Sequence, residues 1–401
     1  MKTEVKARIL SIIAALAAMM LIPHSAGQKP SAPENLVKSA LALEQEGRVS
    51  EAEAAWKSLL EQQPDNSEAY AHLGLLQARQ EHYTQAIVSY RKALALNPNM
   101  TAVRLDLGLS LFKSGDLRGA IRAFEPVLRA TPNSSSERLR LVTLIGLAHY
   151  GLGEYAEAVP YLKQATASDA GNLPLRMTLA QSCMNSKQYQ CVLDVYREIL
   201  AINPNSAEAD VLAGEAYDEL KNDAGALQEF QAAVKADPKL PNVHFGYGYL
   251  LWKASRFNDA EEEFKAELAN NPENPLALAY LGDAEIKLNH TDAAVPYLAH
   301  ALRLQPSNAT AHLDLGIAYE SRGRIDDALR EFKTAEKLSP DDPIVHWHLG
   351  RLYQANGRRA EAKAEFDKTR NLQNSTQQSL REQMHQADGK PAASSGGSRP
   401  R

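Results

Sequence analysis

Prolines recur every 34 residues through most of this chain of 401 residues. The members of the two series are Pro64, Pro98 and Pro132, then Pro204, Pro238, Pro272, Pro306 and Pro340. The 72 residues that separate the series amount to two repeats with four extra residues, and Ala170 stands where the missing proline would be. A period of this size predicts a solenoid, in which each repeat packs on its neighbours, rather than two or three globular domains.

Each repeat has the pattern of two amphipathic helices joined by a turn. In residues 67–100, Tyr70, Leu73 and Gly74 mark one face of a first helix, and Ala86 and Tyr90 mark one face of a second. Their spacings of three and four are helical, and the closing proline cannot continue the helix before it. We number positions from 1 within each of ten repeats, which span residues 33–66, 67–100, 101–134, 139–172, 173–206, 207–240, 241–274, 275–308, 309–342 and 343–376.

Three positions keep their character in all ten repeats. Position 8 is always small: Ala40, Gly74, Gly108, Gly146, Ala180, Gly214, Gly248, Gly282, Gly316 and Gly350. Position 20 is small or β-branched: Ala52, Ala86, Ala120, Ala158, Val192, Ala226, Ala260, Ala294, Ala328 and Ala362. Position 24 is large and apolar: Trp56, Tyr90, Phe124, Leu162, Tyr196, Phe230, Phe264, Leu298, Phe332 and Phe366. Because glycine costs a helix about 1 kcal/mol relative to alanine, eight glycines at position 8 indicate that the two helices must approach closely there.

These three columns and the closing proline resemble the tetratricopeptide repeat, and the resemblance covers residues 33–376. It implies an all-α protein, specifically an α-solenoid in which antiparallel helix pairs form a right-handed superhelix. The fifth repeat, with Ala180, Cys183 and Val192, matches the pattern least well.

The two ends of the chain lie outside the repeats. Residues 1–27 combine early basic residues, an apolar run from Ile9 to Ile22 and small residues at the end, which is the pattern of a secretory signal cut after Gly27. An uncleaved anchor is the alternative. Residues 28–32 form a linker, residues 375–387 are predicted to form a polar capping helix, and residues 388–401 are rich in Gly, Ser, Pro and basic residues, as in a disordered tail.

Charge and motifs exclude several classes of function. The 44 basic residues are outnumbered by 49 acidic ones, giving a net charge of −5, which argues against nucleic acid as a partner. The sequence lacks a Gly-rich phosphate loop, a His-Glu-x-x-His motif and a Gly-x-Ser-x-Gly elbow. We therefore expect no enzymatic activity, no cofactor and no metal. His244, His312 and His346 share position 4, and we interpret them as packing residues.

Two local features leave alternatives open. Cys183 and Cys191 flank the turn of the fifth repeat, where they either form a disulfide or remain two small buried thiols. The extra residues around Ser135 and Ser136 either mark a bend between two sub-arrays or cap a first helix that is one turn longer than the others.

In arrays of this family the first helices line a concave groove that holds peptides or helices, so the resemblance implies a ligand groove here. We assign it to positions 2, 5, 9, 12 and 13. The candidate residues are Leu105, Leu109, Phe112, Leu147, Tyr150, Met177, Met184, Glu208, Glu215, Asp218, Glu219, Phe245, Tyr249, Trp252, Leu313, Ile317, Trp347 and Arg351. The family's Lys/Asn/Arg clamp for a terminal carboxylate is disfavoured, because the corresponding positions hold Val37, Leu41, Leu75, Leu105 and Asp106.

Phe245, Tyr249 and Trp252 are the strongest candidates for ligand contacts, because they share one face of one helix. They either bind an apolar segment, with the acids of the sixth repeat favouring a basic end, or pack against neighbouring first helices. We therefore expect an exported adaptor for a protein or peptide, without a membrane span in the mature chain. The resemblance implies a cell-envelope assembly as its setting. A self-associating scaffold and an accessory subunit of an envelope enzyme are the alternatives.

Overall fold

The computed structural model describes residues 32–132 and 135–388, and these fold entirely into α-helices and short connections. The predicted signal segment, most of the linker and the tail after Asp388 lie outside the described residues. No strand occurs in the described ranges, and twenty helices are found there. The prediction of an all-α solenoid of helix pairs is therefore confirmed.

The described residues divide into two compact bodies, one up to residue 221 and one from residue 222 onward. The N-terminal body contains α1 (Ala32–Gln45), α2 (Val49–Gln62), α3 (Ser67–Arg79), α4 (Tyr83–Leu96), α5 (Thr101–Ser114), α6 (Leu117–Ala130), α7 (Ser136–Leu152), α8 (Tyr155–Ser168), α9 (Leu173–Asn185), α10 (Tyr189–Ile202) and α11 (Ala207–Glu219). The C-terminal body contains α12 (Asp223–Ala236), α13 (Val243–Lys253), α14 (Phe257–Asn270), α15 (Pro275–Lys287), α16 (Thr291–Leu304), α17 (Ala309–Ser321), α18 (Ile325–Leu338), α19 (Pro343–Ala355) and α20 (Arg359–Asp388). Odd-numbered helices are the first helices of their repeats, and even-numbered helices are the second.

Short polar side chains begin many of the first helices. The Asn66, Asn172 and Asn308 side chains each accept a hydrogen bond from the backbone N–H three residues later. Such caps satisfy donors that have no partner inside the helix. The turn between the two helices depends on position 15, which has a positive φ in every repeat. Its occupants are Gly47, Glu81, Gly115, Gly153, Lys187, Lys221, Ser255, Asn289, Gly323 and Gly357.

The glycines of position 8 lie directly against the large residue of position 24. A Cβ atom added to Gly108 would come within 2.4 Å of the Phe124 ring, and one added to Gly282 within 2.5 Å of Leu298. Both distances are far below van der Waals contact, so a side chain in place of either glycine would require the neighbouring side chain or helix to move. The prediction that these glycines serve close packing is confirmed.

The extra residues of the fourth repeat lengthen its first helix. The Ser135 hydroxyl accepts a hydrogen bond from the Arg138 N–H at 3.1 Å, and α7 then runs for 17 residues, against 14 in α5. Of the two alternatives for this segment, the structure shows the capped, longer helix. The Arg138 guanidinium also donates to the carbonyl of Leu128 at 2.7 Å, which fastens the start of α7 to the end of α6.

Residues 375–387, predicted to form a capping helix, belong to α20, which runs without a break from Arg359 to Asp388. The tenth repeat has no proline near its end, and residues 371–375 contain no glycine, so no residue interrupts the backbone hydrogen bonding between the second helix of that repeat and the predicted capping segment.

Cys183, near the end of α9, and Cys191, near the start of α10, are joined by a disulfide. Their Cα atoms lie 5.8 Å apart, which is within the range of bridged cysteines. Both side chains are buried. The bond therefore links the two helices of the fifth repeat, which matches the family pattern least well.

Tyr90 and Tyr196 both occupy position 24, and they provide a matched test of buried hydroxyl groups. The Tyr90 hydroxyl is buried without a hydrogen-bond partner among the described residues, whereas the Tyr196 hydroxyl donates to Asp210 Oδ1 at 2.9 Å. Tyr90→Phe should leave the stability unchanged or raise it. Tyr196→Phe should lower it by about 1–2 kcal/mol, because Asp210 is buried and loses one donor. Urea unfolding of both variants measures the difference. Equal losses in the two variants would contradict this account.

The disulfide gives a second test. Protein purified under oxidising conditions should incorporate no alkylating reagent, and reduction followed by alkylation should modify both cysteines, as measured by intact mass. Replacing both cysteines by serine should lower the stability by about 2 kcal/mol, since the bond closes a short loop. Two thiols that react in the native, unreduced protein would show that the bond is absent.

Candidate functional site

The predicted groove residues of the N-terminal body are mostly covered by their neighbours. Phe112, Leu147 and Met177 are buried, whereas Leu109 keeps 37% of its surface exposed. The remaining three, Leu105, Tyr150 and Met184, are partly buried and pack against the core. This face therefore offers limited apolar surface around Leu109.

The acidic residues of the sixth repeat lie on α11, at the end of the N-terminal body. Glu208, Glu215 and Glu219 are exposed, and Asp218 is half-buried. Glu219 accepts a hydrogen bond from the Tyr189 hydroxyl at 3.2 Å. These carboxylates form an acidic surface on α11.

The predicted aromatic set of the C-terminal body packs around a residue that the sequence analysis did not select. The ring centre of Tyr280, on α15, lies 5.8 Å from that of Phe245, 5.5 Å from that of Tyr249 and 5.2 Å from that of Trp252. We call these four residues the aromatic cluster. All four remain partly exposed, so they both pack against a neighbouring first helix and present ring surface outward.

Asp283 lies beside the aromatic cluster on α15. The Trp252 indole N–H donates a hydrogen bond to its Oδ2 atom, and the Lys287 ammonium lies 3.9 Å from its Oδ1 atom. Only 8% of Asp283 is exposed, and this burial raises its pKa. The carboxylate therefore fixes the indole ring and is partly neutralised by a lysine.

Asp314, on α17, is a second buried carboxyl group, and it interacts electrostatically with Asp283. Only 5% of it is exposed, and no hydrogen bond or ion pair joins its side chain to the described residues. Burial raises its pKa well above the usual range, and the negative charge of Asp283 raises it further. Asp314 is thus a buried acid whose charge has no close partner.

Asp106, in the N-terminal body, occupies the same position 6 as Asp314. Burial raises the pKa of Asp106 to about 6, and the Arg79 guanidinium opposes that rise. Position 6 also supplies His72, Tyr280 and His348, which the sequence analysis did not select.

Position 6 belongs to the candidate site because it meets position 12 of the preceding repeat. The Glu44 carboxylate lies 3.0 Å from His72 Nδ1, and the Glu320 carboxylate lies 2.8 Å from His348 Nδ1. Tyr280, against the Trp252 ring, follows the same rule. Two signals in the sequence could have revealed the missed residues. Position 9, applied to the eighth repeat, selects Asp283, and adding position 6 selects Tyr280 and Asp314.

The last predicted residues surround Trp347 on α19, which is 42% exposed. The Arg351 guanidinium lies 4.7 Å from the centre of the Trp347 ring and 3.4 Å from Glu320. Of the predicted residues on α17, Leu313 is buried in the core and Ile317 is half-buried. Trp347 is thus the most exposed aromatic side chain among the predicted groove residues.

The three histidines of position 4 pair with glutamates of the second helices. His244, His312 and His346 place Nδ1 at 2.6, 2.7 and 2.6 Å from Glu263, Glu331 and Glu365 respectively. They are packing residues, as interpreted from the sequence, and each also forms a hydrogen bond with a glutamate that the sequence did not predict.

Two clusters in the described ranges bring histidine and glutamate close enough to hold a metal ion: Glu261, Glu285 and His290, and Glu336, His346 and Glu365. A lysine contacts the carboxylates of each cluster. The Lys368 ammonium lies 3.0 Å from both Glu336 and Glu365, and the Lys265 ammonium contacts Glu261 and lies 3.8 Å from Glu285. In each cluster, therefore, one lysine is ion-paired with both glutamates within the structure.

Among the described helices, none combines the length and the apolar character needed to cross a bilayer.

Models of the tetratricopeptide repeat match nearly the whole array. One, described as the tetratricopeptide repeat domain of cytochrome c-type biogenesis protein H, matches residues 36–168. Two general models of the repeat match residues 193–241, 247–309 and 281–343, and residues 149–191 and 321–383.

A curated relative and several solved structures are similar to parts of the chain. The small glutamine-rich tetratricopeptide repeat-containing protein 2 of Mycosarcoma maydis is 22% identical over 111 residues, which are 28% of this chain and 32% of that protein. The chain thus matches only about a third of that relative's length.

Among solved structures, a tetratricopeptide repeat protein from Parabacteroides merdae is 17% identical, with a TM-score of 0.45, over 67% of this chain and 98% of that one. YrrB, described as having an unusual peptide-binding site, is 21% identical, with a TM-score of 0.40, over 47% of this chain and 97% of that one. MamA from Desulfovibrio magneticus is 21% identical, with a TM-score of 0.39, over 42% and 96%.

The repeat columns, the helix pairs and the matching models agree along residues 36–383. The chain belongs to the tetratricopeptide repeat family, whose members are generally non-catalytic scaffolds that bind proteins or peptides.

Proposed function

We propose that this protein is a non-enzymatic adaptor that binds a protein or peptide segment on the first helices of its C-terminal body. The observation that carries the proposal is the aromatic cluster, four partly exposed rings on α13 and α15 in mutual contact. Tryptophan and tyrosine are over-represented among the residues that dominate binding energy.

The aromatic cluster is distinct from the residues that pack the repeat. On α13 the buried contacts come from Tyr247, Gly248 and Leu251, and a Cβ atom on Gly248 would come within 2.9 Å of the Phe264 ring. Tyr249 and Trp252 point elsewhere on the helix, and their nearly parallel rings lie 6.2 Å apart. Because the rings already hold one another in place, a ligand would lose little side-chain entropy in ordering them.

We further propose that the protein is exported and works in a cell-envelope assembly. The signal pattern of residues 1–27 supports export. The match of residues 36–168 to a repeat domain of a cytochrome c-type biogenesis protein supports a role in assembling another protein. The apolar surface of the aromatic cluster suits an extended or helical segment of such a client.

Replacing Tyr249 and Trp252 together by alanine tests the binding surface. Truncating hot-spot residues typically costs about 2 kcal/mol or more each, so capture of the partner should weaken by roughly 100-fold or more. Cross-linked capture from the native host, quantified by mass spectrometry, measures the effect, and circular dichroism checks that helicity is retained.

A matched control is the double variant Leu304→Ala and Leu338→Ala, which removes two exposed apolar side chains from second helices of the same body. This control variant should capture the same amount of partner as the wild-type protein does. Equal capture by the Tyr249/Trp252 variant and by wild type would exclude the aromatic cluster as the binding surface. If light scattering shows a concentration-dependent oligomer that the Tyr249/Trp252 variant loses, the surface instead mediates self-association.

Export has a separate test. Protein recovered from the native host should begin at Gln28, as determined by N-terminal sequencing and intact mass, because the cut is expected after Gly27. A chain that retains residues 1–27 in the membrane fraction would indicate an anchor. One that retains them in the cytoplasm would contradict export.

A further inference from the structure

We propose that Asp283 and Asp314, together with the aromatic cluster, form a pocket for a basic side chain of the partner, a lysine or an arginine flanked by apolar residues. This inference rests on the proposed function, because it identifies the chemistry recognised at the same surface. Neither aspartate was among the residues that the sequence selected.

The charges around the two aspartates do not balance. When both are ionised, Asp283 and Asp314 supply two carboxylates, and Lys287 supplies one ammonium, which lies 3.9 Å from Asp283 and is itself 49% exposed. Asp314, with 5% of its surface exposed, has no ion pair or hydrogen bond to the described residues. A buried carboxylate without a partner is unfavourable, so a second cation entering from the ligand would be stabilised there.

The rings of the aromatic cluster are arranged so that their faces can contact a cation. Tyr280 meets the rings of Tyr249 and Trp252 nearly at right angles, at 85° and 82°. The Trp252 indole is held by its hydrogen bond to Asp283, so its orientation is fixed before a ligand arrives. Ring faces attract lysine and arginine side chains, and they also pack against the aliphatic stems of those residues.

A cationic side chain fits this chemistry better than a metal ion does. Calcium requires at least six oxygen ligands and magnesium an octahedral set, whereas among the described residues Asp283 and Asp314 belong to no group of three His, Cys, Asp or Glu side chains close enough to hold a metal ion. An ammonium or guanidinium group needs only hydrogen-bond acceptors and can use the ring faces as well.

In other repeats of this protein, the polar residue at position 6 is paired with a residue of the preceding repeat. His72 and His348, at position 6, each contact a glutamate at position 12 of the preceding repeat. For Asp314 the corresponding residue is Ile286, which offers no polar group. Asp106 likewise faces an apolar residue, Ala78, at position 12, so it is the missing partner together with the neighbouring aromatic cluster that favours a partner of Asp314 from another molecule.

The pocket should bind a cation more tightly as the pH rises. The groups that act on Asp314 come from α15: Asp283, Lys287 and the Tyr280 hydroxyl. On the other helices packed against α17, Asp292 of α16 is paired with Arg322, Glu331 of α18 with His312, and His348 and Arg351 of α19 with Glu320. Burial and Asp283 raise the pKa of Asp314, and a bound cation stabilises its ionised form, so binding of the cation should strengthen as the pH rises through that range.

A random dodecapeptide library displayed on phage and selected on the full mature chain tests the inference. Wild type should enrich sequences with a lysine or arginine flanked by apolar residues. The double variant Asp283→Asn and Asp314→Asn should lose that basic preference. Asp326→Asn, which makes the same chemical change at an exposed site on α18, should behave as wild type does.

A selected peptide then gives a quantitative measurement by fluorescence polarisation. Replacing its basic residue by norleucine should weaken binding to wild type by about tenfold or more, and should have little effect on binding to the Asp283/Asp314 variant. Affinity of the basic peptide for wild type should rise with pH, and that of the norleucine peptide should not.

The outcomes separate this inference from the proposed function. Apolar sequences without a basic residue, enriched equally by wild type and the Asp283/Asp314 variant, would overturn the basic pocket and leave the aromatic surface standing. If wild type enriches no peptide sequences beyond those that the Tyr249/Trp252 variant enriches, both the basic pocket and the aromatic binding surface are excluded.

Thermal unfolding of the ligand-free Asp314→Asn variant gives an independent check. Its midpoint should rise or stay unchanged, because the variant removes an uncompensated buried acid. A lowered midpoint would assign Asp314 a structural role and contradict the inference.

Discussion

The close crossing of the two helices in each repeat is the contact on which the rest of the structure depends. It requires a small residue at position 8 and a large one at position 24, and in the C-terminal body Gly248 and Phe264 meet in this way. Phe264 also lies 6.0 Å from Phe245 and 5.9 Å from Tyr280, measured between ring centres. Phe264, which fills the space at the helix crossing, thus also packs against two rings of the aromatic cluster. The packing of the repeat core therefore helps to position these rings.

The sequence predicted the features that follow from periodicity within one repeat. The helix pairs, the position 8 glycines and the shared face of Phe245, Tyr249 and Trp252 depend on spacings of three, four and sixteen residues along one chain segment. The structure also shows that the two interpretations of the aromatic set were not exclusive, since Tyr249 and Trp252 pack on Tyr280 and remain partly exposed.

Contacts between consecutive repeats could not be derived in the same way. Tyr280, Asp283 and Asp314 become part of the site because position 12 of one repeat meets positions 6 and 9 of the next, a relation set by how neighbouring first helices pack. The Trp252–Asp283 hydrogen bond, across 31 residues, is an example. That the predicted capping segment continues the second helix of the tenth repeat follows from a different rule, because the end of a helix depends on a residue that breaks it, and neither proline nor glycine occurs in residues 371–375.

Some polar side chains on the first helices form hydrogen bonds to other residues of the array, and some do not. At position 4, His312 and His346 each bridge a glutamate of the second helix and the carbonyl of the proline six residues earlier, at 3.0 and 2.8 Å. Such side chains fix the repeat and have no donor or acceptor to offer a ligand. Asp314 lies on the same helix as His312, two residues away and on another face, without such partners. An array of similar repeats can pair a buried polar side chain by a single substitution at position 12, as Glu44 and Glu320 do for histidines. Asp314 has no such partner among the described residues and lies beside partly exposed aromatic rings, which favours a ligand as its partner.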